Sequence, residues 1–277
     1  MRGIILAGGK GTRLLPATKS VNKHLLPIGK SCKPMIQHCV EKMVSAGIID
    51  IMVVTGGEHF GGIAEFLGSG VQFGCKFTYR IQDNAGGIAE ALKLADGFVR
   101  PGERMCVILG DNIFEDDLGR TVSRYKKMPD GMAMVVLKDV PDPERFGVAN
   151  LHPATEENKV RDLTAGHFFR DADICGVSDI LLTISSIVEK PKEPYSHYAV
   201  TGIYFYGHEV FEIIDTLKPS ARGELEITDV NNAYLKNGML GYDLFQGWWT
   251  DAGTRDSYDR ANRLVAGLHK GEDSTNP

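Results

Sequence analysis

Residues 3–14 read GIILAGGKGTRL, an unbroken apolar run, Gly3–Ala7, that opens directly into Gly8-Gly9-Lys10-Gly11-Thr12-Arg13-Leu14. A short run that is apolar at every position, with no alternation, has the pattern of a strand buried on both faces. Three glycines in four positions let the turn that follows bring its backbone N–H groups against an anion, and Lys10 and Arg13 add positive charge. The segment predicts a central parallel strand whose carboxyl end carries a phosphate cradle. It is not a Walker loop, because Gly29-Lys30-Ser31 would need glycine at position 24, where His24 stands. Nor is it a dinucleotide fingerprint, since Gly9-Lys10-Gly11 is followed by Arg13-Leu14 where the third glycine belongs.

Working outward, Pro34–Gly47 sets Met35, Ile36, Cys39, Val40, Met43 and Val44 on one helical face and closes on glycine. Ile51–Thr55 and Lys76–Ile81 read as strands, Ala85–Ala95 as a helix, and Met105–Leu109 as a strand ending in Gly110-Asp111-Asn112. This alternation predicts an α/β fold: a doubly wound, mostly parallel, Rossmann-like sheet flanked by helices. Ligands collect at the carboxyl ends of such strands, which marks Gly8-Gly9 and Asp111. The second half is more mixed, with strands at Met132–Leu137, Phe146–Leu151, Thr183–Val188, Val200–Tyr206 and Met239–Phe245, and helices at His208–Leu217, Glu224–Lys236 and Thr254–Leu268. No Pro-rich or Ser-rich linker separates the halves, so the expectation is one domain over about 1–268 with an α+β portion, followed by a frayed tail at 269–277.

Composition narrows the partners. With 277 residues, 43% of them hydrophobic, and a net charge of −5, the chain excludes disordered, collagen-like and disulfide-miniature classes. That acidic balance also argues against nucleic acid as the main partner, though not against a single phosphorylated small molecule. Five cysteines without a C-x-x-C pair fit reduced thiols in a cytoplasmic protein and imply no zinc site. The apolar start stops too early for a secretory signal, and no segment reaches transmembrane length, so no membrane is expected. The excess is glycine: 32 residues, above the roughly 7% typical of globular chains.

Eight motifs then occur in order: Leu6–Arg13 (LAGGKGTR), Lys23–Pro27 (KHLLP), Pro34-Met35-Ile36, Leu109–Asn112 (LGDN), Glu189-Lys190-Pro191, Tyr198–Tyr206 (YAVTGIYFY), Ser220–Asp229 (SARGELEITD) and Thr250–Thr254 (TDAGT). In this order and spacing, from Arg2 to about Leu268, the chain resembles the sugar-1-phosphate nucleotidylyltransferases. Its motifs most resemble those of the members that condense dTTP with glucose 1-phosphate to dTDP-glucose and pyrophosphate, with Mg²⁺. The resemblance implies that reaction, at the head of dTDP-deoxysugar synthesis of the rhamnose type, in a homo-oligomer, dimer or tetramer. It also implies a nucleotide-binding half over about 1–130 and a sugar-binding half over about 131–253.

Nucleotidyl transfer asks mainly for positioning and charge stabilisation. A sugar phosphate is already anionic, so no general base is needed, which suits a chain with no Ser-His-Asp or Cys-His constellation. Two carboxylates completed by water and phosphate oxygens hold Mg²⁺ in the usual way, and by resemblance these are Asp111 and Asp251. Arg13 and Lys23 would neutralise the triphosphate, and Lys190 the sugar phosphate. The nucleotide would be met by Leu6, Gly8, Gly9, Gly11, Thr12 and Arg13, by the Gln82 amide at the base edge, by close approach at Gly87, and by Asp111. Glucose would be read by Asn112, the backbone at Gly147, Glu189 and Val200. Outside the family, each of these has a plainer use: Asp111 as a helix cap, Asp251 as a turn residue, Gln82 as a satisfied strand-end amide, and single Lys or Arg residues as surface charge.

Departures from the family pattern carry their own expectations. Lys10 stands where Ser or Thr is common, and Val188 where another Glu is common. The stretch from Gly147 to Glu189 is longer than the pattern, which predicts an insertion around 163–184. Its His167, Asp171, Asp173 and Cys175 fit no zinc spacing, so a surface excursion or subunit contact is expected, leading into the strand that carries Glu189 and Lys190. The chain resembles the short form, without the C-terminal helices that build a regulatory nucleotide site, so weak or absent end-product inhibition is expected. Two alternatives stay open: the same chemistry with UTP or another sugar 1-phosphate, and a nucleotide-sugar sensor that does not turn over.

Overall fold

The computed structural model describes residues 1–153 and 182–268. In chain order it contains β1 (Arg2–Ala7), β2 (Pro27–Ile28), β3 (Lys33–Pro34), α1 (Met35–Ser45), β4 (Asp50–Gly56), α2 (Phe60–Leu67) and β5 (Lys76–Gln82). There follow α3 (Ile88–Lys93), β6 (Arg104–Leu109), β7 (Asn112–Phe114), α4 (Leu118–Lys127), β8 (Ala133–Asp139), β9 (Gly147–Pro153), β10 (Leu182–Glu189) and β11 (Tyr198–Gly207). The described chain finishes with α5 (Val210–Thr216), α6 (Ile227–Lys236), β12 (Leu240–Leu244), β13 (Trp249–Asp251) and α7 (Arg255–Val265). Two compact units result. One comprises residues 2–85, 108–118 and 246–268; the other comprises 86–107 and the described part of 119–245.

In the first unit, β1, β4 and β5 are parallel neighbours, with Gly3 to Ala7 in register with Ile51 to Thr55. Ile4, Ile5, Ala7 and Ile51 to Val54 have no exposed surface, as the unbroken apolar runs predicted. On the other side of β1 the Gly110 N–H donates to the Leu6 carbonyl at 2.9 Å, which sets Asp111 beside the start of the glycine loop. Helix α1 buries Met35, Ile36, Cys39, Val40 and Met43 along one stripe. A three-residue ribbon pairs β7 with β13 antiparallel, Asn112 opposite Asp251. It packs on a cluster of Ile28, Met35, Ile113, Ala252 and Ala261, with Trp248, Tyr258 and Val265 against it.

The second unit is built mainly from antiparallel pairs: β9 with β10, β9 with β11, and β8 with β11, while β12 joins β8 in parallel. The mostly parallel expectation thus describes the first unit, and the α+β expectation describes the second. The expected insertion at 163–184 lies outside the described residues except for Leu182, Thr183 and Ile184, which begin β10; Cys175 and the tail at 269–277 lie outside them too. Among the described residues, no helix is long and apolar enough to cross a membrane.

Candidate active site

The loop after β1 turns through Gly9 (φ 91°) and Gly11 (φ 64°) into a short 3-10 turn at Thr12–Leu14. Gly11 is also needed for space: a Cβ there would lie 3.1 Å from Thr18 Cγ2 and 3.2 Å from Lys23 Cβ. Removing that Cβ lets the stem of Lys23 come up beside the loop. Gly8 faces Gln82, whose Oε1 lies 3.1 Å from where a Gly8 Cβ would sit, so two residues 74 positions apart in sequence (82 − 8) share one spot at the strand ends. Lys10 and Glu58 approach to 3.7 Å, both largely exposed.

Asp111 follows β6, nearly buried, and accepts from Lys23 Nζ at 2.6 Å, both side chains being 12% exposed. Burial alone would push the carboxyl up; the Lys23 ammonium, with hydrogen bonds from Lys23 and Asn112, instead holds it well below the usual carboxylate range. Asp251 ends β13 and accepts the Gly253 N–H at 2.7 Å, while the Ala252 N–H donates to the Asp111 carbonyl at 2.8 Å. The capping box of Thr254 and Ser257 then starts α7, anchoring the chain just beyond Asp251. A Cβ on Gly253 would lie 3.1 Å from Asp111 Oδ2, 3.1 Å from Asp251 Oδ1 and 3.3 Å from an Arg13 guanidinium nitrogen. Two carboxylates and a guanidinium therefore face the point where a Gly253 Cβ would sit. An all-oxygen donor pair suits a hard cation such as Mg²⁺, which takes its remaining oxygens from water and phosphate. Among the described residues no cluster of three His, Cys, Asp or Glu forms a fuller cage.

His24 stands behind this pair, 1% exposed, with Nδ1 2.8 Å from Asn22 Oδ1. Burial, with Lys23 beside it, pushes the imidazole from its ordinary 6.5 down to about 3, so the ring is neutral at neutral pH. A folded value below the unfolded one means that this contribution to stability is complete above pH 6.5. It is lost as pH falls toward 3, at about 1.4 kcal/mol per pH unit for one proton. His24→Gln should flatten that acid limb: below pH 6.5 the stability difference, read from urea midpoints, moves in the variant's favour at each step. Parallel curves for the two proteins would contradict a neutral His24.

In the second unit, strand register gathers residues far apart in sequence. Gly147 on β9 pairs with Glu189 on β10 and with Val200 on β11, so the three form one row. Lys190 follows at φ 44°, a strained backbone for a non-glycine residue, and its N–H donates to the Phe146 carbonyl at 2.9 Å. Glu189 accepts from Thr228 Oγ1 at 2.7 Å, and Arg222 stands 3.8 Å from Glu189 while pairing with Glu226 at 2.9 Å.

Residues 2–267 match the nucleotidyl transferase family. The chain belongs to that family. It is 39% identical over 268 residues to the glucose-1-phosphate thymidylyltransferase of Neisseria gonorrhoeae, covering 96% of this chain and 82% of the relative. It is 37% identical over 273 residues to the enzyme of that name from Mycobacterium tuberculosis, covering 98% and 84%. Among solved structures it resembles a Bacillus anthracis protein provisionally assigned as a glucose-1-phosphate thymidylyltransferase and solved with sucrose, at 51% identity and TM-score 0.82, with 98% of each chain covered. It also resembles a UDP-glucose pyrophosphorylase solved with UDP-glucose, at 25% identity and TM-score 0.77, with 97% and 99% covered.

The nucleotidyl transferase thus brings together, in its first unit, Leu6, Gly8, Gly11, Arg13, Lys23, Gln82, Asp111 and Asp251 and, in its second, Gly147, Glu189, Lys190 and Val200. Two expected residues have other occupations. Asn112, expected on glucose hydroxyls, is 2% exposed; its Oδ1 accepts the Trp249 indole N–H at 2.7 Å and its Nδ2 donates to Asp111 Oδ1 at 3.2 Å. Gly87, expected to admit a base, is required by the protein itself, because a Cβ there would meet the Leu225 carbonyl at 2.5 Å. Thr228 and Arg222, both in the quoted SARGELEITD stretch, meet Glu189 through a tertiary pairing that the sequence alone does not display.

Proposed function

We propose that this nucleotidyl transferase joins dTTP and glucose 1-phosphate to give dTDP-glucose and pyrophosphate. The observation that carries the reading is the point at Gly253 faced by Asp111, Asp251 and Arg13, with Lys23 on Asp111, at the mouth of a glycine-rich phosphate loop. A sugar-phosphate oxygen forms the new bond to the α-phosphorus of dTTP. The bond from that phosphorus to the bridging oxygen breaks, and pyrophosphate leaves with the electron pair. No proton has to move. Asp111 and Asp251 would hold Mg²⁺, which when bound neutralises phosphate charge and steadies the leaving group. Lys23 orients Asp111 and keeps it ionised, Arg13 and the loop amides take the triphosphate, and Gln82 with the Gly8 backbone reads the base. Lys190 takes the sugar phosphate, and Glu189, the Gly147 backbone and Val200 take the sugar hydroxyls.

The likeness to a UDP-glucose pyrophosphorylase keeps UTP as a second reading. dTTP and UTP differ by the base methyl, worth only about 1–3 kcal/mol of discrimination in an apolar pocket, and by the ribose 2′-hydroxyl. A pyrophosphate-release assay across dTTP, UTP, CTP and GTP with several sugar 1-phosphates, with and without Mg²⁺, tests both. The expected outcome is fastest release with dTTP and glucose 1-phosphate and none without the metal. Preference for UTP would shift the reading to the second, and no release with any pair would point to a sensor.

A further inference from the structure

The β7–β13 ribbon pairs Asn112, the residue after Asp111, with Asp251, and it is only three residue pairs long. A ribbon this short is not stable by itself. At its far end from the aspartates, Asp116 and Glu115 capture three successive main-chain amides. Asp116 Oδ1 accepts from Gln246 N at 3.0 Å, Asp116 Oδ2 from Gly247 N at 2.8 Å, and Glu115 Oε2 from Trp248 N at 3.1 Å. The Glu115 N–H answers to the Trp248 carbonyl at 3.0 Å. The fit is tight enough that a Cβ on Gly247 would stand 2.7 Å from Glu115 Oε2 and 2.8 Å from Asp116 Oδ2. From the side, Lys42 on α1 donates its ammonium to the Glu115 carbonyl at 2.6 Å and the Asp116 carbonyl at 2.7 Å, and lies 4.9 Å from the Phe114 ring centroid. Because α1 is buried along its inner stripe, this ties the loop to a rigid element.

We infer that Lys42 and Asp116 are positioning residues for the reaction: they lock the register of β7 against β13 and thereby aim Asp111 and Asp251 at their common point. The physical reason is the period of two along a strand, by which a slip of one residue turns Asp251 to the opposite face. Neither side chain lies among the residues assigned to substrate or metal, and the role rests on the function proposed above.

The test reads the ribbon directly as well as the reaction. In Asp116→Ala, hydrogen exchange at the Ala252 amide, which donates to Asp111, should accelerate about tenfold or more, as expected for losing two charge-assisted hydrogen bonds. Amides of β4 at Met52 and Val53 should stay unchanged. The Mg²⁺ concentration for half-maximal pyrophosphate release should rise about fivefold or more as the carboxylates lose alignment, while KM for the sugar phosphate holds. Lys42→Met should move both readouts the same way, and Asp116→Asn, which keeps one acceptor, should fall in between. If Asp116→Ala does not fold, Asp116→Asn is judged on the same criteria. Unchanged Ala252 exchange, or equal acceleration at Met52 and Val53, overturns the inference. Inactivity of the unmodified protein would instead strike the proposed function, and the exchange result would still stand or fall by itself.

Discussion

Asp111→Asn should lower turnover by about a thousandfold, because a carboxylate holding the proposed Mg²⁺ would supply several kcal/mol of charge stabilisation that an amide does not. Stability should change much less. Asn can still accept from Lys23 through its amide oxygen, so the 2.6 Å contact weakens without leaving the ammonium wholly unpartnered. The measurement is pyrophosphate release per folded molecule alongside a thermal melt. Normal turnover with lowered stability would make Asp111 a structural residue and remove the central support for the chemistry proposed here.

Lys23→Met should do damage of both kinds. Lys23 and Asp111 are each only 12% exposed at the side chain, and breaking a buried pair from one side costs about 3–5 kcal/mol because the remaining charge stays desolvated. The sign with pH is distinctive. In the unmodified protein the Asp111 carboxyl sits below its ordinary value, so its contribution is present at neutral pH and is lost on acidification. Without Lys23, burial is opposed only by the Asn112 hydrogen bond and the neighbouring His24, so the carboxyl rises from its depressed position. Relative to the unmodified protein, the variant is then penalised most at neutral pH and recovers as pH falls and the carboxyl protonates. Urea midpoints for both proteins at pH 7 and pH 5 should show the gap narrowing at the lower pH, with turnover at pH 7 reduced about a hundredfold or more. A gap that widens on acidification would mean that Asp111 is not the group left unpaired.

The sequence was most legible where local pattern and tertiary role coincide. Gly3–Ala7, Ile51–Thr55 and Met105–Leu109 are apolar at nearly every position because the strands they form are covered on both faces, and all three stand where the pattern placed them. Helix α1 was readable from its stripe for the same reason. Helices α2 and α4 were not. Phe60–Leu67 carries two glycines after its first residue, and Leu118–Lys127 has few apolar residues to show a period, so packing of Ile63 and Leu67 in one case and of Leu118, Val122 and Tyr125 in the other overrides a weak local signal.

For the site, the resemblance carried by the eight motifs nominates Arg13, Lys23, Asp111 and Asp251, and their residue types suit phosphate and metal chemistry. Which atoms meet was decided elsewhere. Asp251 reads as a turn residue before a helix, and it does accept the Gly253 N–H there; it is also the last residue of a strand whose partner, Asn112, is 139 positions away (251 − 112). Asn112 looked like a sugar ligand; its side chain props Asp111 and Trp249. Gly147, Glu189 and Val200 form a row only because β9 pairs with both β10 and β11 in one register. What the sequence by itself determined was the kind of chemistry and the parallel βα frame, because burial and charge leave their mark residue by residue. The pairing of Asp111 with Asp251 and the company kept by Glu189 belong to the tertiary structure, because hydrogen-bond register between distant strands has no local imprint on the residues that obey it.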